Sequence, residues 1–96
     1  MGVGQKGHPP KPELAVFPGR LSGEAHVVAR AATKDATYEF EASADGGETW
    51  IGRVNVPRAD VTIGGLEPGV VHLFRRRVLT REGLGDWCQP VTFRVR

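Results

Sequence analysis

From Glu13 onward apolar and polar residues alternate with a period of two, the spacing that sends successive side chains to opposite faces of an extended strand. The run Tyr38-Glu39-Phe40-Glu41-Ala42-Ser43 puts Tyr38, Phe40 and Ala42 on one face and both glutamates on the other. Read this way, the chain predicts seven strands, over Leu14–Phe17, Glu24–Ala31, Thr37–Ser43, Thr49–Val54, Ala59–Ile63, Val71–Thr80 and Pro90–Val95. Turn-forming clusters separate them every eight to twelve residues, among them Pro18-Gly19, Gly23, Lys34-Asp35, Asp45-Gly46-Gly47, Pro57, Gly64-Gly65, Pro68-Gly69 and Gly83 to Asp86. That interval is too short for helices. Seven short strands in about 85 residues predict an all-β, two-sheet sandwich. Its expected core is Leu14, Val27, Ala29, Tyr38, Phe40, Val61, Ile63, Leu66, Phe74, Val78, Val91, Phe93 and Val95.

Composition narrows the picture further. Ninety-six residues fit one domain with a modest core. Met1 to Pro12, with three glycines and three prolines and almost nothing apolar, reads as a flexible lead-in, leaving residues 13–96 as the domain. Forty per cent hydrophobic and 25% charged is a balance that folds rather than stays disordered. Thirteen basic against eleven acidic residues leave +2, far from a nucleic-acid footprint, so no nucleic acid is expected as a partner. A single cysteine excludes an intrachain disulfide. No apolar run approaches the roughly 18 residues of a membrane span, so no membrane insertion is expected.

Gly65-Leu66-Glu67-Pro68-Gly69 followed by an alternating strand is similar to the signature of fibronectin type III domains. Gly23-Glu24 ahead of the second strand, Tyr38-Glu39-Phe40 in the third, and Gly85-Asp86-Trp87 then Pro90-Val91 before the last add to the resemblance, which covers Glu13 to Arg96. It implies a seven-stranded, immunoglobulin-like Greek-key β-sandwich. The first, second and fifth strands would face the third, fourth, sixth and seventh. Three positions depart from the family. Ala29 stands where the second strand usually carries Trp, His72 where a corner Tyr is usual, and Arg76 on the inward side of the sixth strand. An inward arginine is costly unless its head is paired, so Arg76 is expected to lie along the core, its stem in the room left by Ala29. Its guanidinium would then meet a carboxylate or carbonyls at the sheet edge.

Other residues of chemically active types also have structural readings. Ser43-Ala44-Asp45-Gly46-Gly47-Glu48-Thr49-Trp50 matches the Asp-box hairpin of sialidase propellers, but one copy cannot build a propeller. A structural turn with Trp50 packed beside it is expected, a sugar contact through Trp50 being the alternative. Arg75-Arg76-Arg77 is the densest charge run; Arg75 and Arg77 are expected to point outward, and the sheet order that the resemblance implies brings them opposite Glu39 and Glu41 with Arg53 beyond, a solvated ladder on an open face. The alternative is an anionic partner held by Arg53, Arg75, Arg77 and Arg94. His8, His26 and His72 share no metal-ligand spacing, His26 is expected to face solvent, and Cys88 is expected to be half-buried with no base to activate it. Ser22 and Ser43 lack a glycine elbow.

These readings assign no catalytic, metal or cofactor residue. The expected function is a non-catalytic spacer or protein-interaction module of a larger bacterial polypeptide, with Arg81 to Trp87 as the first candidate surface. The alternative is a carbohydrate-associated accessory module of a polysaccharide-degrading enzyme, with Trp50 or Trp87 on a sugar ring. The partner would be a protein or a polysaccharide. An extracellular or cell-surface setting follows from the resemblance, and a monomer from the absence of a leftover apolar face.

Overall fold

The computed structural model describes residues 13–32 and 34–96. The expected lead-in, including His8, and Thr33 lie outside them. Eight strands form: β1 (Leu14–Pro18), β2 (Ala25–Ala29), β3 (Thr37–Ser43), β4 (Ile51–Val56), β5 (Asp60–Ile63), β6 (Val71–Thr80), β7 (Gly83–Leu84) and β8 (Val91–Arg94). The described residues contain no helix. All seven expected strands begin and end within two residues of observed ones; the fourth starts two residues later than expected, leaving Trp50 outside it. The eighth strand, β7, is two residues long, too short to show a period.

All pairings are antiparallel. One sheet runs β1-β2-β5, with Leu14 opposite Ala29 and Ala25 opposite Ile63. The other runs β4-β3-β6, and the far edge of β6 is shared by β7 at Leu79–Thr80 and β8 at Val71–Phe74. Between those two stretches the edge is covered by the segment that joins them: Gly85 N–H donates to the Val78 carbonyl (2.8 Å) and Cys88 N–H to that of Arg76 (2.9 Å).

The alternation in β2 buries Ala25, Val27 and Ala29, and that in β3 buries Tyr38, Phe40 and Ala42. Phe40 and Phe74 are fully buried between the sheets, worth about 1.5 to 3 kcal/mol each in area removed from water. Of the expected core, Val61, Val78, Val91 and Phe93 are only partly buried but pack against it. Ala25, Ala36, Ala42 and Cys88 join it. The Tyr38 hydroxyl, at the end of the core, accepts the Ala32 N–H at 2.8 Å.

One end of the sandwich is closed by backbone contacts that require glycine. Gly23 has φ of 82°, its N–H donates to the Arg96 carbonyl (2.6 Å), and its own carbonyl accepts the Leu66 N–H (3.0 Å). A Cβ there would lie 2.9 Å from the Leu66 oxygen. Gly23→Ala is therefore expected to cost about 2 kcal/mol or more. A urea midpoint that falls with unchanged slope would confirm it; an unchanged midpoint would refute it.

The three departures are now accounted for. His72 is buried, its Nδ1 3.0 Å from the Val70 carbonyl and its ring 6.2 Å from that of Phe74. The imidazole thus makes a corner bond close to its own backbone. Arg76 points inward as expected, with only 11% of its side chain exposed, and reaches the start of β1, where Nη2 meets Glu13 Oε1 at 2.9 Å. Glu13 adjoins the Leu14–Ala29 pair, so the guanidinium ends where the small Ala29 sits. The uninterrupted β3–β6 register rules out a bulge at Arg76. Its Nε is buried with no acceptor. Arg76→Leu removes that unsatisfied donor and leaves Glu13 exposed to water, so stability should be unchanged or raised by up to about 1 kcal/mol. A denaturation midpoint lower by about 2 kcal/mol would show that the guanidinium is required.

Candidate interaction face

The outward side chains of β3, β4 and β6 meet on one face of the five-stranded sheet. The register brings Glu39 opposite Arg77 and Glu41 opposite Arg75, in keeping with the sheet order that the resemblance implies. On the other side of β3 the register with β4 shifts between the Phe40–Val54 and Ala42–Ile51 pairs, a bulge at which Gly52 adopts φ of 66°. Arg53 then lies over Glu41, donating from Nε and Nη2 to Oε2, both at 2.6 Å. Arg75 donates from Nε (3.0 Å) and Nη2 (2.7 Å) to Oε1 of the same carboxylate. Arg77 Nε meets Glu39 Oε1 at 2.6 Å.

The expectation of an open face for both glutamates is corrected here. The Glu41 side chain is only 3% exposed, because two arginines lie across it. Burial pushes its carboxyl up, but the hydrogen bonds and charges of Arg75 and Arg53 together outweigh burial and hold it below the usual carboxylate range.

Two indoles complete the arrangement. The Arg75 guanidinium carbon lies 3.8 Å from the Trp50 ring centroid and 4.0 Å from that of Trp87; the Arg77 carbon lies 4.4 Å from Trp87. Residues two apart on a strand project their side chains about 6.5 to 7 Å apart. An indole close to both guanidinium groups therefore sits between them, and the order is Trp50, Arg75, Trp87, Arg77. The segment Arg81 to Trp87 is accordingly not a free loop: it contains β7, and Trp87 is stacked in this ladder. Composition and alternation gave no signal of the stacking, because neither tryptophan lies in a strand.

Trp50 is presented by the hairpin that the Asp-box pattern predicts. Asp45 Oδ1 accepts the Thr49 N–H (2.9 Å) and the Ser43 hydroxyl (2.7 Å), Oδ2 accepts the Thr49 hydroxyl, and the Ser43 oxygen accepts the Gly47 N–H (2.8 Å). These donors, Thr49 first, hold the Asp45 carboxyl far below its ordinary range. The box is a turn that aims Trp50 at Arg75.

The remaining expected residues fall elsewhere. Arg94 donates to the Gly69 carbonyl (2.7 Å) at the far end of β6 and does not join the ladder. The half-exposed His26 contacts Asp60 (3.4 Å) and the Thr62 hydroxyl (3.1 Å) on the outer face of the other sheet. Cys88 is buried, not half-buried, and its Sγ accepts the Arg76 N–H at 3.4 Å. Ser22 donates to the Arg96 carbonyl at 3.3 Å. The described residues bring no three of His, Cys, Asp and Glu into a metal-holding group. One further expectation fails: an apolar surface is left over. Leu79 and Leu84, 44% and 51% exposed, are register partners on the same face as the ladder.

The sheet order, the inward Phe40 and Phe74, and the Gly65 to Gly69 corner together match a known architecture. Solved structures decide it. The sixth fibronectin type III domain of human fibronectin type III domain containing protein 3 superposes with a TM-score of 0.70, at 21% identity, covering 96% of this chain and 89% of that one. The fold is that of a fibronectin type III domain. The FN5 domain of Drosophila Lar agrees at a TM-score of 0.63 and 20% identity, covering 85% of this chain and 89% of that one. The twitchin kinase region of C. elegans matches at 0.66 and 20%, covering 90% of this chain and 17% of that one. No protein-family model and no curated protein matches the sequence. The fibronectin type III fold has an additional short strand here, β7, which brings Trp87 to β6.

Proposed function

We propose that the domain is a non-catalytic spacer and interaction module of a larger polypeptide. The observation that carries this reading is that Glu41, Asp45, His72 and Cys88 are each engaged in structural bonding. Glu41 and Asp45 are held ionised by their donors, so neither is a proton donor at neutral pH. His72 is turned to its own backbone, and Cys88 is buried against Arg76. A carbohydrate-associated role would need an open indole face, and Trp87 is packed against two guanidinium groups, which leaves that role to Trp50, stacked on Arg75 alone.

Monomeric behaviour in dilute solution belongs to the same proposal. Among the edge strands, β1 ends on Pro18, and β4 carries a bulge and Arg53 and is followed by Pro57, all devices that discourage edge-to-edge pairing. The exposed leucine pair falls far short of the roughly 800 Å² per partner of a standard interface.

The test is to exchange residues 13–96 in the parent polypeptide for an unrelated sandwich of similar size. Any chemistry of the parent should persist while its assembly with partners fails. Lost turnover with assembly intact would contradict the reading.

A further inference from the structure

We propose that the outer face of the five-stranded sheet, from Arg53 across Arg77 to the Leu79–Leu84 pair, docks an acidic protein segment that carries apolar side chains. The inference rests on the interaction-module reading and names the surface and the partner's chemistry.

Depth of charge is the first ground. The Glu41 and Glu39 side chains are 3% and 17% exposed, whereas Arg53, lying over Glu41, is 55% exposed. Arg75 and Arg77, each 21% exposed, stand little higher than Glu39, so the excess of three guanidinium groups over two carboxylates is presented chiefly by Arg53 above the buried Glu41.

Geometry of the unused donors is the second. Arg53 and Arg75 reach Glu41 through Nε and Nη2, and Arg77 reaches Glu39 through Nε. Each fork keeps its Nη1 group for another acceptor. The stacking on Trp50 and Trp87 fixes the planes of Arg75 and Arg77, so the fork that meets an incoming carboxylate is already oriented.

Leu79 and Leu84 decide between anionic partners. They stand side by side on the same face, one alternation along from Arg77. A nucleic acid would be drawn by phosphate contacts alone and gains little from a surface with one net charge and two leucines. An acidic protein segment uses both halves: carboxylates on Arg53 and Arg77, apolar side chains on Leu79 and Leu84.

The experiment is a ¹⁵N–¹H NMR titration of the full chain with three probes. They are a capped peptide of glutamates interspersed with leucines and glycines, the same peptide with lysine for glutamate, and a short oligothymidylate. The acidic peptide should shift amides of β4, β6 and β7 and the Trp87 indole N–H, with the lysine peptide and the oligonucleotide giving no saturable response. Arg53→Gln should weaken the acidic peptide about tenfold. Leu79→Ser with Leu84→Ser should weaken it about fivefold, and because both side chains are exposed this variant keeps the fold and reads the contact alone. Shifts confined to other surfaces, an oligonucleotide bound as tightly as the peptide, or an unaltered affinity in the leucine variant would overturn the proposal. So would silence from all three probes; if the domain exchange still disrupted the parent's assembly, the module reading would stand and only this face would fall.

Discussion

Glu41→Gln is expected to destabilise the domain by about 3 kcal/mol, one of the largest losses available from a side chain on a sheet's outer face. The carboxylate accepts from both Arg53 and Arg75 and is almost fully buried beneath them. The amide keeps the shape but loses the charge, and it turns an NH₂ group toward a guanidinium. Both arginines can partly escape to water, which keeps the cost at the low end of what breaking a buried pair entails. For a domain of this size the melting temperature should fall by roughly 12 to 24 °C. A change below about 0.5 kcal/mol would place Glu41 among ordinary surface ion pairs, whose median worth is near that figure.

Trp87→Ala should cost about 3 kcal/mol as well, by a different route. It removes the plate between Arg75 and Arg77 and loosens the segment that covers the edge of β6. The stability loss should exceed that of Trp50→Ala, since Trp50 stacks on Arg75 alone. Hydrogen exchange supplies a readout that a general loss of stability would not give. The Gly85 and Cys88 amides, which bond β6 across that edge, should exchange faster than amides in β2 or β3 at matched denaturant. Uniform acceleration across the domain would mean that Trp87 is merely another packed side chain.

Much of this arrangement was legible in the alternation together with the family resemblance. Period two put Glu39 and Glu41 on one face of β3, Arg75 and Arg77 on one face of β6 and Arg76 inward, and the sheet order that the resemblance implies set the two strands side by side, as the register has them. The Asp-box residues fixed a turn because a carboxylate surrounded by short-range donors has one compact solution. Depth was not legible. Alternation assigns a side chain to a face, whereas the burial of Glu41 depends on Arg53 arriving across a bulge and on Arg75 being held by indoles from two other segments. Strand β7 escaped because Gly83–Leu84 is too short to alternate, and with it went the exposure of Leu79, whose neighbour it supplies. The acceptor for Arg76 was expected only as a carboxylate or backbone carbonyls at the sheet edge, since Glu13 lies 63 residues away in the chain.

The claim that ties these observations together is that Glu41 is a buried carboxylate on which Arg53 and Arg75 converge. Its ionisation tests that directly. The ¹³C shift of the Glu41 carboxyl, followed against pH, should titrate below the ordinary glutamate value of about 4.3. A folded-state pKa below the unfolded one means that the stabilisation is complete above the unfolded value and is lost as pH falls through the folded one. Denaturation midpoints should therefore decline over that acidic window, and the decline should be smaller in Glu41→Gln, the part that remains coming from Asp45. A Glu41 carboxyl that titrates at or above the ordinary value, in a domain whose stability does not respond, would contradict the account.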